Sequence, residues 1–114
     1  MTSKNQKKYF IEFPNVTSFM DTQTAEVDAE YREIVQRLER EGRLSMPFGE
    51  KIKGKNLFAI RVINAGNIRV FYVYGKGDYV YGIHGYVKKS QKIPRSELKL
   101  ACKLTKELKR AGLI

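Results

Sequence analysis

Three runs rich in β-branched and aromatic residues follow one another closely, with only three residues between each run and the next. They span residues 57–63, 67–74 and 78–87. The separators, Asn-Ala-Gly at 64–66 and Gly-Lys-Gly at 75–77, have the composition of turns. Connections this short join antiparallel neighbours, because a parallel pair needs a crossover of a dozen or more residues. The sequence therefore predicts a three-stranded antiparallel meander.

Two further elements and an irregular segment are predicted ahead of the meander. Residues 9–13 form an aromatic and β-branched run that stops at Pro14, which predicts a first strand. A helical turn is expected around residues 17–21. Residues 42–56 contain proline and glycines and end in three lysines, which is typical of an irregular connection.

Two helices are predicted from the spacing of apolar residues. In the first, over residues 25–41, apolar side chains recur every three or four residues, with Thr24 as the N-cap and Gly42 beyond the end. The second covers residues 96–110, begins after Pro94 and has one apolar stripe beside a lysine-rich face. These elements predict a single α+β domain over residues 1–114. Its helices pack on one face of a curved antiparallel sheet, and a helix forms the C-terminus.

Strand alternation assigns the side chains of the meander to two faces. The expected core face is apolar, and we expect the helices to leave the other face uncovered. The core set comprises Phe58, Ile60, Val62, Ile68, Val70, Tyr72, Tyr74, Tyr79, Tyr81, Ile83 and Val87. The uncovered face is expected to carry Ala59, Arg61, Arg69, Phe71, Val80, Gly82, His84, Tyr86 and Lys88.

Positive charge is concentrated in the second half of the chain. Residues 1–50 hold seven Lys/Arg and nine Asp/Glu, whereas residues 51–114 hold fifteen and three. A basic region of this strength suits phosphate backbones. Arginine binds phosphate in a bidentate manner, aromatic rings stack on unpaired bases, and histidine exchanges protons near neutral pH. The polar sheet face therefore indicates RNA as the partner.

Other classes of function are disfavoured. Cys102 and His84 are the only cysteine and histidine, so a usual zinc site is out of reach and we expect no metal and no cofactor. A single cysteine cannot form an intramolecular disulfide, which fits a reducing cytoplasm. No signal peptide or membrane-spanning segment is evident, so we expect a soluble, cytoplasmic protein without a membrane partner.

Several motifs resemble the phage-related branch of the RelE/HigB toxin superfamily. They are Leu-Phe-Ala-Ile-Arg at 57–61, Ile-Arg-Val-Phe-Tyr at 68–72, and Ile-His-Gly-Tyr-Val-Lys-Lys-Ser-Gln-Lys-Ile-Pro at 83–94, with Glu97 and Ala101 in the last helix. That family's pattern runs aromatic-Glu-Leu-Arg, Arg-Val-aromatic-aromatic, and His-Gly-Phe-x-Lys-Lys-Thr-Gln-Lys-Thr-Pro before a helix. The resemblance implies a RelE-like fold.

The chain departs from this pattern at two positions. Ala59 stands where the family usually has Glu, and Ile93 stands where it often has Thr. The resemblance implies a ribosome-dependent endoribonuclease, a toxin that cuts mRNA in the ribosomal A site. It also implies neutralisation by a cognate antitoxin, often a helix-turn-helix protein.

Metal-free RNA cleavage through the substrate's own 2′-OH gives the polar residues distinct expected roles. Arg69, with Arg61 beside it, is predicted to bind the scissile phosphate. His84 is the candidate general acid or base, and Lys88 supplies a second charge or acts as an acid. Tyr86 is expected to stack on a base. Further contacts with message and ribosomal RNA are expected from Lys51, Lys53, Lys55, Lys89, Lys92 and Arg95.

Two alternatives remain open from the sequence. The first is a non-catalytic RNA- or ribosome-binding protein of the same fold, which Ala59 keeps in play. The second is a phage-derived DNA-binding accessory protein that uses the basic helix over residues 96–110 as a groove reader. The broad apolar stripe of that helix favours docking on the sheet instead.

Overall fold

The computed structural model describes residues 6–114, so the first five residues of the predicted domain lie outside the described part. Residues 6–114 form five strands and three helices. In chain order they are β1 (Tyr9–Glu12), α1 (Pro14–Asp21), α2 (Ala25–Glu41), β2 (Gly49–Lys51), β3 (Phe58–Val62), β4 (Ile68–Tyr74), β5 (Tyr79–Val87) and α3 (Arg95–Arg110). The predicted α+β class and C-terminal helix are confirmed.

The five strands lie in one sheet in the order β1-β5-β4-β3-β2. β3, β4 and β5 are antiparallel neighbours, which confirms the meander. β1 runs parallel to β5, as the long connection between these two strands permits. The sheet is therefore mixed, which corrects the expectation of a wholly antiparallel sheet.

β2 lies inside the segment that was predicted to be irregular. Its three residues pair antiparallel with β3, with Glu50 directly opposite Ala59. A three-residue run of Gly, Glu and Lys has no strand signature of its own. Only its hydrogen bonding to β3 makes this segment a strand, so the sequence pattern could not predict it.

Helices α1 and α2 cover one face of the sheet, as predicted. The Thr24 hydroxyl accepts a hydrogen bond from the Val27 N–H at 3.2 Å, and Gly42 ends α2 with a φ of 82°, so both predicted caps are confirmed. Pro14 ends the first strand and begins α1, which is longer than the predicted turn. The buried core on this face comprises Val16, Met20, Val27, Tyr31, Ile34, Leu38, Ile60, Val62, Ile68, Val70, Tyr72 and Val80.

Helix α3 lies on the opposite face, which the sequence analysis left uncovered. Its Ala101 and Leu108 are buried in a second core beneath the helix. This core also contains Ile52, Leu57, Ala59, Phe71, Val73, Tyr81, Ile83 and Tyr86. The face that carries the arginines is therefore partly a packed interface, and only the part beyond α3 remains open to a ligand.

A β-bulge in β5 changes the predicted assignment of side chains to faces. Phe71 pairs with His84, but the next residue, Tyr72, pairs with Gly82, so Ile83 is the extra residue. Ile83 and Tyr81 consequently pack on the α3 side, together with His84. Their predicted place in the other core is wrong, and so is the predicted place of Val80, which is buried in the core beneath α1 and α2. Strict alternation fails where one strand gains a residue.

None of the helices within residues 6–114 has the length and apolar character needed to cross a membrane.

Candidate functional site

Two arginines face each other across the middle of the sheet. Arg61 on β3 and Arg69 on β4 are directly opposite cross-strand partners, on the same face, as the alternation predicted. Like charges in this arrangement destabilise an antiparallel pair. Arg69 is only 3% exposed, whereas the side chain of Arg61 keeps 20% of its surface accessible. Such a pair requires a compensating negative charge nearby.

Glu50 on β2 supplies that charge. Its Oε1 atom lies 3.6 Å from Nε of Arg61 and 3.9 Å from Nε of Arg69. Both Nε atoms are buried, and neither has a hydrogen-bond partner within residues 6–114. The carboxylate therefore offsets part of the positive charge without a close hydrogen bond, and both Nε–H groups are left without an acceptor.

Glu50 was not among the site residues predicted from the sequence. It lies directly opposite Ala59, the position where the resembled family usually has a glutamate. A carboxylate is thus present on this face, but it comes from the neighbouring strand. The sequence carries no signal for this placement, because it depends on the pairing of β2 with β3.

The two guanidinium groups are anchored from different sides. Nη1 of Arg69 donates to Oδ1 of Asn67 at 3.1 Å and to the Ile68 carbonyl at 3.0 Å. Nη1 of Arg61 donates to the Pro47 carbonyl at 2.9 Å. Burial lowers the pKa of Arg69, Arg61 lowers it further, and Glu50 acts in the opposite direction. A guanidinium remains charged at physiological pH despite such a shift, so the site holds a poorly hydrated cation suited to an anionic ligand.

His84 forms a close pair with a carboxylate from α3. Its Nε2 atom lies 2.6 Å from Oε1 of Glu97, and the two side chains are 15% and 31% exposed. The His84 ring is also near Phe71 and Tyr86, with centroid distances of 6.3 and 6.5 Å. A carboxylate on one ring nitrogen fixes the orientation of the imidazole. His84 is therefore held in a defined position from which it can exchange a proton.

Glu97 was recognised in the sequence only as part of the family resemblance, without a role in the site. An acidic residue in the first turn of a helix stabilises the helix by itself. The presence of Glu97 in the sequence therefore did not indicate a contact with His84. The docking of α3 on the sheet is what brings Glu97 to His84.

Tyr86 is less accessible than its predicted role requires. The residue is 4% exposed, and its ring stacks on Phe71 with centroids 5.5 Å apart. The ring faces are therefore not available for the predicted stacking on a base. Burial raises the pKa of Tyr86, and Arg69 partly opposes this, so the hydroxyl stays protonated at neutral pH and can only donate or accept a hydrogen bond.

Lys88 and Lys89 lie in the loop that follows β5. Nζ of Lys88 donates to the Gln91 carbonyl at 2.8 Å, and its backbone N–H donates to the Asn67 carbonyl at 2.9 Å. Lys88 and Lys89 line one pocket together with Arg69. The structure therefore brings these two predicted residues to the arginine site.

Lys51, Lys53 and Lys55, in the β2–β3 hairpin, do not lie at the arginine pair. Lys51 is paired with Phe58 at the start of β3, whereas Arg61 lies near the end of that strand. Nζ of Lys51 donates to the Lys55 carbonyl, and Lys53 is exposed in the same turn. These three lysines therefore lie at the other end of β3 from the arginine pair. Lys92 and Arg95 are exposed before and at the start of α3.

Side chains that could bind a metal ion do not cluster in the described part of the chain. Within residues 6–114, no three His, Cys, Asp or Glu side chains come together in a group that could hold a metal ion. Cys102 is a half-buried free thiol on α3. The charged groups of the site are thus the arginine pair with Glu50, the His84–Glu97 pair and the lysine loop.

The fold and the site define a class: small α+β proteins with a cationic pocket on one face of the sheet, beside a docked C-terminal helix. The chain belongs to the family described as phage derived protein Gp49-like, which matches residues 18–106. This family is associated with RelE-like toxins, which agrees with the resemblance seen in the sequence. No curated protein sequence matches the chain.

Proposed function

We propose that this protein is a ribosome-dependent mRNA endoribonuclease, the toxin of a type II toxin-antitoxin system. The observation that carries the proposal is the cross-strand pair of Arg61 and Arg69, with the His84–Glu97 pair on the same face of the sheet. Two cations bind the phosphate and a positioned histidine exchanges a proton. Membership of a family associated with RelE-like toxins supports the same conclusion.

In the proposed reaction, the substrate's 2′-oxygen attacks the adjacent phosphorus and the bond from phosphorus to the 5′-oxygen breaks. The products are a 2′,3′-cyclic phosphate and a 5′-hydroxyl, and no protein nucleophile takes part. Arg69 and Arg61 hold the phosphate and stabilise the charge that develops on its oxygens. Lys88 adds a third positive charge at the edge of the pocket.

The reaction needs one group that removes the 2′-OH proton and one that protonates the 5′-oxygen. His84, oriented by Glu97, takes one of these roles. Glu50 is the carboxylate nearest to the arginine pair and can take the other, since the phosphate will bind beside it. Tyr86 and Lys88 are the remaining proton donors at the site.

The proposed setting is the bacterial cytoplasm, with mRNA on the ribosome and ribosomal RNA as partners. The net charge of +10 supports binding to RNA through phosphate contacts. We expect a cognate antitoxin, of the helix-turn-helix type, to neutralise the protein. An antitoxin of complementary negative charge would bind this surface most readily.

The test uses purified translating ribosomes and a defined mRNA, with cleavage mapped by primer extension. Arg69→Ala should lower the cleavage rate by at least 100-fold, because the phosphate loses its buried cation. The matched control is Arg40→Ala, which removes an exposed arginine whose ion-pair partner on α2 is the exposed Glu41. Cleavage by Arg69→Ala at the wild-type rate would contradict the assigned role.

The role of His84 is tested in the same assay by the single-turnover rate. His84→Gln should slow cleavage by roughly 100-fold if the imidazole transfers a proton. Glu97→Gln should have a smaller effect, because an amide can still form a hydrogen bond to the ring although it carries no charge. An unchanged rate in His84→Gln would move the proton transfer to Glu50, Lys88 or Tyr86.

A non-catalytic RNA- or ribosome-binding protein is the second candidate. It is favoured by the burial of Ala59, which is 1% exposed and contributes no chemistry to the site. Growth arrest with intact mRNA would support this candidate, whereas fragments that end at codon boundaries would support the nuclease. The DNA-binding alternative has less support, because α3 is docked on the sheet through Ala101 and Leu108.

A further inference from the structure

The pocket that Lys88 and Lys89 form with Arg69 adjoins the arginine pair. It is lined by Asn67, Arg69, Lys88, Lys89, Ser90 and Gln91. Three of these six side chains are cationic and none is a carboxylate. Glu50, which lies near both arginines, is thus not among the residues that line this pocket.

Asn67 holds the two walls of this pocket together. Its Oδ1 accepts a hydrogen bond from Nη1 of Arg69 at 3.1 Å, and its Nδ2 donates to the Lys88 carbonyl at 3.0 Å. Its backbone carbonyl also accepts the Lys88 N–H at 2.9 Å. Arg69 is almost fully buried, so its position is set by these contacts and not by solvent.

The loop is closed by hydrogen bonds of its own. Nζ of Lys88 donates to the Gln91 carbonyl at 2.8 Å, and the Ser90 hydroxyl donates to the Lys92 carbonyl at 2.9 Å. These bonds hold residues 88–92 in a compact bend beside the start of β4. Concentrated cationic donors around a fixed guanidinium suit a phosphate group.

We propose that the pocket between Asn67, Arg69 and the Lys88–Gln91 loop binds a second phosphate of the RNA, next to the one held between Arg61 and Arg69. Asn67 is the positioning residue of this subsite, because it couples Arg69 to the loop. The inference rests on the proposed function for its substrate, an RNA strand, and adds a place for the flanking nucleotide.

The experiment compares short non-cleavable oligonucleotides that differ by one phosphate. A 2′-O-methyl dinucleotide is titrated into the full-length protein without a terminal phosphate, with a 5′-phosphate and with a 3′-phosphate. In the wild type, one of the two terminal phosphates should tighten binding by about tenfold at low salt, as expected for a charge-assisted contact. Asn67→Ala and Lys88→Gln should reduce this gain to less than threefold.

Asn67→Asp tests how the charge of the pocket affects phosphate binding when the hydrogen-bond acceptor for Arg69 is kept. It keeps an acceptor for Arg69 but loses the donor to Lys88 and adds a negative charge at the rim, so it should abolish the gain completely. Lys103→Ala, which removes an exposed lysine of α3, is the matched control and should keep the full gain. Circular dichroism of each variant verifies that the fold is intact.

Inorganic phosphate provides a readout that does not depend on RNA. In the wild type, it should shift the amide NMR signals of Lys88, Lys89 and Ser90, and the shifts should be lost in Asn67→Asp. Phosphate binding at these amides in a protein that fails to cleave mRNA would support the subsite while contradicting the nuclease. A tenfold gain that persists in all three variants, or a wild type with neither a gain nor amide shifts, would overturn the subsite.

Discussion

At the scale of single residues, the site depends on an unusual balance of charge. Arg61 and Arg69 face each other directly, and Glu50 lies near 4 Å from both without a close hydrogen bond. The buried Nε atoms keep an unused hydrogen-bonding capacity, which costs stability in the free protein. The arrangement is thus better suited to a bound anion than to the empty protein, as is common where binding residues are preorganised.

The first prediction concerns Glu50. Glu50→Gln leaves the two guanidinium groups facing each other without a counter-charge, so the free energy of unfolding should fall by about 1 kcal/mol. Sulfate should restore this loss, because an anion can take the place of the carboxylate, and the restoration should exceed any effect on the wild type. Urea unfolding with and without sulfate measures both quantities.

The control for this experiment is Glu41→Gln, which removes a carboxylate that is 57% exposed and forms an ion pair with Arg40. Its stability should change little and should respond to sulfate as the wild type does. Equal stability of Glu50→Gln and the wild type in the absence of sulfate would show that Glu50 does not compensate the arginine pair.

At the scale of secondary-structure elements, the bulge in β5 and the glycine after it decide which side chains reach the site. Ile83 is the extra residue of the bulge, and His84 therefore lies beside Phe71 on the α3 side. On the opposite face, Gly85 lies beneath the ring of Phe19 on α1. The His84-Gly85-Tyr86 stretch therefore contacts helices on both faces of the sheet. The side chains of His84 and Tyr86 lie on the α3 side, and the backbone at Gly85 lies against Phe19 of α1.

The second prediction tests this close contact. In Gly85→Ala, the added Cβ would lie 2.5 Å from Cδ2 of Phe19, so the ring or α1 must move. We expect a loss of about 1–3 kcal/mol in the free energy of unfolding, as for other overpacked sites. Thermal and urea unfolding measure it.

A double mutant distinguishes the steric cause from a backbone effect. Phe19→Leu removes the ring atoms that clash, so Gly85→Ala should cost less in that background than in the wild type. The same cost in both backgrounds would mean that the contact with Phe19 is not responsible.

At the scale of the whole molecule, a single carboxylate ties α2 to the turn between β3 and β4. The Glu30 side chain accepts hydrogen bonds from the backbone N–H groups of Ile63, Asn64 and Ala65, at distances from 2.6 to 3.2 Å. Burial acts to raise the pKa of Glu30, but these hydrogen bonds outweigh it, and the net effect lowers the pKa below 4.5. The carboxylate is therefore favoured by the folded state.

The third prediction follows from this shift. A carboxyl group whose pKa is lower in the folded state contributes stability above the unfolded pKa and loses it as the pH falls through the folded value. Glu30 should thus contribute fully at neutral pH and progressively less below pH 4.5. Glu30→Gln should cost about 1–2 kcal/mol at pH 7, and the difference from the wild type should shrink in acid.

Urea unfolding between pH 3 and 7 measures this difference, with Glu26→Gln as the control for an exposed acidic residue in the first turn of the same helix. A difference between Glu30→Gln and the wild type that stays constant over this range would contradict the lowered pKa.

The sequence by itself determined the features that depend on local spacing. Residues three or four apart defined α2 between Thr24 and Gly42, and alternation within short hairpins placed Arg61 and Arg69 on one face. Both follow from the spacing of side chains along a helix and along a strand, which backbone geometry fixes. The short turns also meant that each strand of the meander could pair only with its neighbour in sequence. The cationic half of the chain was equally visible, because charge is a sum over residues.

Only the tertiary structure decided which groups complete the site. Glu50 enters through the pairing of a three-residue strand, Glu97 through the docking of α3, and His84 takes its position from a bulge. The same packing buried Tyr86, whose ring had been expected to stack on a base. Each of these depends on contacts between residues distant along the chain. Such contacts are settled by the burial and hydrogen bonding of the whole molecule, which no local pattern records.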